Sequence, residues 1–138
     1  MKPNSLVTEL NISDFQKSIK FYVDIIGFKI EYQREDEGFA YLSLGKSQLM
    51  IDQIDKGRTW KTGELIYPLG RGVNFQIEVE NINTLIQNLK KNNIKLFLDP
   101  EEKWYRKNNT EVGNKQFLVQ DPDGYLLRFF EDLGVKTL

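Results

Sequence analysis

The sequence predicts an α+β fold of two βαβββ modules. Three observations carry that expectation. The order strand, helix, three strands occurs twice along the 138 residues, and such internal repetition fixes the fold before any single element does. Leu10-Asn11-Ile12-Ser13-Asp14 and Ile77-Glu78-Val79-Glu80-Asn81 match as the step from first strand to helix. Gly45 precedes one last strand and Gly124 the other. The length suits one compact domain or two small paired modules. The expected organisation is a single domain over 1–138, with modules at 5–54 and 73–133 and a connector over 55–72.

Residues 6 to 12 alternate as a strand does. Ser13 or Asp14 then caps a helix to about Ile26, because a short side-chain oxygen accepts from the free amides of the first turn. Phe15, Ile19, Tyr22 and Ile26 recur at spacings of three and four and give that helix one apolar face. Gly27 suits a left-handed C-terminal residue. Strands are expected at 28–33, 39–44 and 48–53, with a charged turn at 34–38 and a hairpin around Gly45-Lys46-Ser47. The polar stretch 55–72 is the connector and holds Trp60. The pattern restarts with a strand at 73–79 and a helix from Asn81 to about Asn92. A strand at 94–98, a long loop at 99–113 carrying Trp104 and Tyr105, and strands at 115–120 and 125–130 complete it. Asp121-Pro122-Asp123-Gly124 resembles a catalytic acid pair but reads as a turn, since Pro presets φ and Gly supplies positive φ.

Strand alternation assigns each residue a face. Leu6, Leu10, Ile12, Leu49 and Ile51 belong under the first helix, and Phe75, Ile77, Val79, Phe117, Val119, Leu127 and Phe129 under the second. The opposite face then carries Val7, Glu9, Asn11, Gln48, Met50 and Asp52 in one module. In the other it carries Asn74, Gln76, Glu78, Gln116, Gln120, Leu126, Arg128 and Phe130. With Phe39 and Tyr41, this mixed face is too rich in large apolar groups for bare solvent and points to a groove or interface.

Composition excludes much chemistry. With no Cys and no His, the chain offers no disulfide, no thiolate or imidazole ligand, no Cys nucleophile and no Ser-His-Asp triad. Nineteen basic against twenty acidic residues, net −1, argue against a nucleic-acid partner. No apolar run is long enough for a membrane span, and Met1-Lys2-Pro3-Asn4-Ser5 lacks a signal peptide's apolar core. The expected compartment is the cytoplasm.

Leu10-Asn11-Ile12-Ser13-Asp14, Ser18-Ile19-Lys20-Phe21-Tyr22 and Ile26-Gly27-Phe28 resemble the opening of the vicinal oxygen chelate superfamily, the glyoxalase, bleomycin-resistance and dioxygenase group. Gln120 to Arg128 resembles its closing signature. The resemblance implies the vicinal oxygen chelate fold, in which the curved sheets of the two modules form an open groove. It also places the family's four metal-ligand positions on Val7, Met50, Asn74 and Arg128. Val7 and Met50 cannot hold a hard metal, Asn74 is a weak ligand and Arg128 repels one. No cofactor and no metal are therefore expected, and the balance leans away from an enzyme. The Asp-Pro-Asp-Gly and Leu-Leu-Arg ending is similar to the bleomycin-resistance branch. That branch implies a homodimer that sequesters a cationic glycopeptide antibiotic without altering it.

Such a drug calls for aromatic plates and carboxylates. The expected ligand-binding residues are Phe39, Trp60, Trp104, Tyr105, Arg128, Glu9, Asp52, Asn74 and Gln76. Arg128 could meet a ligand's carbonyl or carboxylate, or pair with Glu9 or another acid of the groove. Glu9 and Asp52 could accept a ligand amine or pair with Arg128. Phe39 could be a groove plate or core, and the two tryptophans ligand or dimer contacts. A glyoxalase- or dioxygenase-like enzyme, and a small-molecule sensor or interaction module, are the alternative readings.

Overall fold

A computed structural model describes the whole chain, Met1–Leu138. Two compact units emerge: Met1–Leu69 with the turn Asp121–Gly124, and Gly70–Gln120 with Tyr125–Leu138. The first contains β1 (Thr8–Ile12), α1 (Phe15–Ile19, continued as a π-helical stretch Lys20–Ile26), β2 (Lys29–Arg34), β3 (Phe39–Leu44) and β4 (Ser47–Gln53). The second contains β5 (Asn74–Glu78), α2 (Ile82–Lys91), β6 (Leu98–Lys107), β7 (Thr110–Gln120) and β8 (Leu126–Thr137). Each unit forms one four-stranded sheet, in the orders β1-β4-β3-β2 and β5-β8-β7-β6. In both, the first strand lies parallel to the last and the remaining pairs are antiparallel. The α+β architecture with a repeated βαβββ plan is thus as the sequence predicts.

The helix starts explain why the repeat is legible. Asp14 and Asn81 are the two N-caps, with nearly identical backbones of φ −147°, ψ 109° and φ −147°, ψ 108°. The Asp14 side chain accepts from Lys17 N at 3.1 Å, and Asn81 Oδ1 from Asn83 N at 2.8 Å. Each helix also receives a second acceptor from its parallel strand: Phe15 N donates to Gln53 Oε1 at 2.9 Å, and Ile82 N to Glu131 Oε1 at 2.7 Å. Four N-terminal amides lack helical partners in any helix, and these contacts satisfy some of them.

The alternation also holds. Leu10, Ile12, Leu49 and Ile51 are buried in the first unit, and Ile77, Phe117, Val119, Leu127 and Phe129 in the second. Full burial of such a side chain stabilises by about 1.5–3 kcal/mol. These residues, with Phe15, Phe21, Tyr22, Ile25 and Ile26 under one sheet and Ile82, Leu85, Ile86 and Leu89 under the other, make the cores.

Several boundaries differ from expectation. Leu6 lies outside β1 and is 85% exposed. The first helix is not α-helical to Ile26; its second half widens into π-helix, and the buried set Phe21, Tyr22, Ile25 and Ile26 follows the spacing i, i+1, i+4, i+5 that a wider turn brings to one side. Gly27 ends it at φ 105°, the expected left-handed cap.

The largest correction falls on 94–113. No strand occupies 94–97, and the expected loop at 99–113 is instead the hairpin β6–β7, turning at Asn108 and Asn109. Charged residues on both faces of β6 mask the two-residue period. They are accommodated because opposite charges face each other across the pair, as at Glu102↔Lys115 and Arg106↔Glu111. β8 likewise runs on to Thr137, paired with β7 throughout. Gly113 opposite Trp104 is required there: a Cβ would lie 2.6 Å from the indole ring.

The Asp121–Gly124 turn is structural. Tyr22 OH donates to Asp121 Oδ2 at 2.6 Å, and Ser13 N donates to both Asp123 carboxylate oxygens at 3.1 and 3.2 Å. Asp123 N donates to Asp121 Oδ1 at 2.9 Å. The two acids are buried and hold the start and the buried tyrosine of the first helix. No helix is long and apolar enough to cross a membrane.

Candidate functional site

Each unit carries a cleft on the mixed face of its sheet. In the first, β1 supplies Glu9, β2 Arg34, β3 Phe39 and β4 Asp52, joined by Glu37, Gly57, Arg58 and Trp60, around about 260 Å³. The pairing explains the grouping. Phe39 stands directly across from both Arg34 and Asp52, and residues opposite one another in a ladder share a face.

The cleft is electrostatically mixed. Arg34 Nε pairs with Glu37 Oε2 at 2.8 Å, and its guanidinium carbon lies 4.0 Å from the Phe39 ring centroid. Arg58 stands 5.4 Å from the Trp60 ring. Partial burial raises the Glu9 carboxyl above its ordinary pKa, Asp52 adds to the rise, and Arg34 opposes it. Burial likewise raises Asp52, against Arg34 and with Glu37. Behind Phe39 the ring of Tyr32 lies at 5.9 Å, itself stacked at 5.3 Å on Tyr41. Tyr41 OH donates to Gln48 Oε1 at 2.7 Å. Phe39 is only 5% exposed, whereas Trp60 is 70% exposed. Phe39 therefore forms the floor and Trp60 an open wall.

The cleft of the second unit is smaller, about 220 Å³, and is lined by Gln76, Tyr105, Val112, Asn114 and Arg128. Arg128 Nη2 donates to Gln76 Oε1 at 2.5 Å, on the strand alongside. Its Nε is buried without a partner, and no carboxylate of its own unit pairs with it. Gln116 donates to Tyr105 OH at 2.6 Å and to Glu101 Oε2 at 3.1 Å. Its own Oε1 is buried without a partner.

The sequence-derived candidates divide accordingly. Glu9, Phe39, Asp52 and Trp60 come together in the first cleft, and Gln76, Tyr105 and Arg128 in the second. Asn74 joins neither; it is exposed at the start of β5. Trp104 is in a strand rather than a loop, and successive strand residues face opposite ways, so it turns away from Tyr105. It covers Gly113, takes Lys136 Nζ at 3.8 Å from its ring, and donates from Nε1 to Glu102 at 3.2 Å. Sequence reasoning missed Arg34, Glu37, Arg58, Val112 and Asn114. Alternation carried across the Gly38 turn from Phe39 would have found Arg34. Val112 falls in the expected loop and Asn114 between that loop and the strand expected at 115–120, and Arg58 sits in a connector without periodicity.

The residues at the family's metal positions do not fit a metal. Val7 and Met50 offer no oxygen or nitrogen, Asn74 is exposed, and Arg128 is a cation tied to Gln76. No cluster of three or more acidic side chains is arranged to hold an ion.

The repeat relates the two clefts position by position. With Asp14 matched to Asn81 and the strand registers followed from there, Glu9 corresponds to Gln76, Met50 to Arg128, Asp52 to Phe130 and Phe39 to Gln116. One plan thus carries acids and an aromatic floor in one unit, and an arginine with neutral amides in the other.

Comparison with known proteins agrees with the fold. The model of the glyoxalase/bleomycin resistance protein/dioxygenase superfamily matches residues 5–129. The chain belongs to this superfamily and has the vicinal oxygen chelate fold. It is 28% identical to a bleomycin resistance protein of Geobacillus stearothermophilus, over 92% of this chain and 96% of that one. It is 27% identical to a probable lactoylglutathione lyase of Synechocystis, over 95% and 97%. The crystal structure of TioX from Micromonospora sp. ML1 superposes with a TM-score of 0.71 at 18% identity, over 95% of this chain and all (100%) of that one.

Proposed function

We propose that this protein binds a cationic, ring-bearing small molecule of the bleomycin type and sequesters it unchanged. The observation that carries the reading is the first cleft, where Phe39 forms an apolar floor directly across from Asp52, with Glu9 and the exposed Trp60 beside it. A flat ring gains from an aromatic plate, and an amine from a carboxylate freed of water. The likeness to a bleomycin resistance protein along nearly the whole of both chains supports the same ligand class. The lactoylglutathione lyase likeness gives less support to an enzyme here, because Val7, Met50, Asn74 and Arg128 do not form a metal-binding set.

A homodimer is part of this proposal. A drug-sized ligand is held in pockets of about 300–1,000 Å³, and the first cleft at about 260 Å³ falls below that range. A second copy would add wall to it, and the exposed Trp60 is the natural contact. Isothermal titration with metal-free bleomycin at low salt tests the binding, and sedimentation with and without drug tests the pairing. Saturable submicromolar binding to a dimer is expected. No heat at any concentration would remove this drug as the ligand.

A further inference from the structure

We propose that the cleft of the second unit binds a small organic carboxylate, with Arg128 as charge partner and Tyr105 as a neutral second donor. The proposal does not depend on the reading of the first unit's cleft.

The first argument is charge. Among the residues lining the second cleft, Arg128 is the only charged one; Gln76, Tyr105, Val112 and Asn114 are neutral. The first cleft, by contrast, sets Glu9, Glu37 and Asp52 against Arg34 and Arg58. With a single uncancelled cation, the second cleft favours an anion.

The second argument is the unfinished hydrogen bonding of Arg128. A guanidinium has five N–H donors in a fixed planar fork and accepts nothing. Here one donor group, Nη2, reaches Gln76 Oε1, while Nε is buried without an acceptor. A buried donor left unpaired costs free energy. The Gln76 contact anchors the fork within the cleft, and a neutral amide leaves its positive charge uncancelled. Planar carboxylates match such a fork and make charge-assisted bonds roughly twice as strong as neutral ones.

The third argument is Tyr105. Its hydroxyl oxygen accepts from Gln116 Nε2, and its proton remains available as a donor. Gln116 is 2% exposed and is also tied to Glu101. The buried amide thus orients the phenol, and the nearby acid is engaged with Gln116. Asn114, 8% exposed, brings a further amide.

Size and polarity narrow the ligand. The volume of about 220 Å³ is below that of a typical drug-sized site, about 300–1,000 Å³. Val112 and the Tyr105 ring supply the apolar wall. A carboxylate on a single ring or a short branched chain fits this combination.

Sodium benzoate is the probe, titrated calorimetrically into the full-length protein at constant ionic strength, with benzamide as its neutral counterpart. Saturable benzoate binding is expected, with benzamide about tenfold weaker or worse. Arg128→Met should abolish benzoate binding, and Tyr105→Phe should weaken it about twofold to fivefold. Lys95→Gln, which removes an exposed cation outside the cleft, should leave it unchanged. Thermal melts establish that each variant is folded. Should Arg128→Met not fold, Arg128→Lys keeps the charge without the fork and should still weaken benzoate by about tenfold. Absence of saturable benzoate binding, equal affinity for benzamide, or binding that survives loss of Arg128 overturns the proposal. Bleomycin titrated into the same variants keeps the two readings apart, since either ligand can fail without the other.

Discussion

The guanidinium of Arg34 lies 4.0 Å over the ring of Phe39, so the aromatic floor of the first cleft already holds a cation of the protein's own. Phe39 is shared between this internal occupant and any cationic ligand that stacks there. Arg34 is held by Glu37 at 2.8 Å, but both side chains are about half exposed, 49% and 54%, so the pair is weakly anchored.

Arg34→Ala should therefore tighten binding of a cationic aromatic probe. An exposed cation–π contact is worth about 0.5–1 kcal/mol, which corresponds to a gain of about twofold to fivefold in affinity. Because Arg34 also opposes the rise of the Glu9 and Asp52 carboxyls, the measurement belongs at mildly alkaline pH, where both are ionised. Titration calorimetry on wild type and variant reads the change. Weaker binding in the variant would mean that Arg34 contacts the ligand instead of competing with it.

Glu9 and Asp52 should set opposite pH trends in binding and stability. Both carboxyls are raised by burial, so the folded state holds their protons more tightly than the unfolded chain does. Their contribution to stability is full below the ordinary carboxylate pKa and is lost as pH rises through the raised values. Affinity for a cation moves the other way, growing over the same window as the charges appear. Glu9→Gln and Asp52→Asn should each raise Tm by about 1–2 °C near neutral pH, a modest gain at such partly exposed sites. Each should also weaken a cationic ligand. Melting curves across the acid range, with and without ligand, check both trends; a Tm that falls in both variants would contradict the sign.

The second acceptors at the helix starts should be worth about as much as ordinary caps. Gln53→Ala removes the acceptor of Phe15 N, and Glu131→Ala that of Ile82 N. A loss of about 1 kcal/mol each is expected. Glu131 should cost the more, because a carboxylate also favours the positive end of a helix. Denaturant melts of the two variants give the comparison, and equal losses would leave the charge without effect.

The buried clasp of the turn should be costlier to break. Tyr22→Phe takes a donor from the buried Asp121 carboxylate. The expected loss is about 1–3 kcal/mol, read by urea unfolding. Stability unchanged from wild type would show the carboxylate to be satisfied without the tyrosine.

Much of this was readable from residues because local chemistry and global plan agree. Asp14, Asn81, Gly27 and the alternation of Leu10, Ile12, Leu49 and Ile51 each announce their role through a short-range rule. The hairpin at Leu98–Gln120 was readable only in its last stretch, 115–120. Its strand character rests on cross-strand partners such as Glu102 and Lys115, which only pairing brings opposite one another. Trp104 falls with it: a large aromatic in an expected loop points to a ligand or dimer contact, whereas Gly113 across the ladder makes room for it as cover. Glu9, Asp52 and Phe39 were accessible to pattern reading because they lie on well-alternating strands. Arg58 was not, since nothing periodic fixes the connector.

The matched positions Glu9 and Gln76, Asp52 and Phe130, Phe39 and Gln116 lie on strands whose opposite faces are packed core. The residues that pack a sheet onto its helix and those that face its cleft are thus different members of the same strand. The cleft side chains differ between the units, as Glu9 and Gln76 do, while the packed faces stay apolar in both. The repeat therefore constrains what lies beneath each sheet far more than what lies above it.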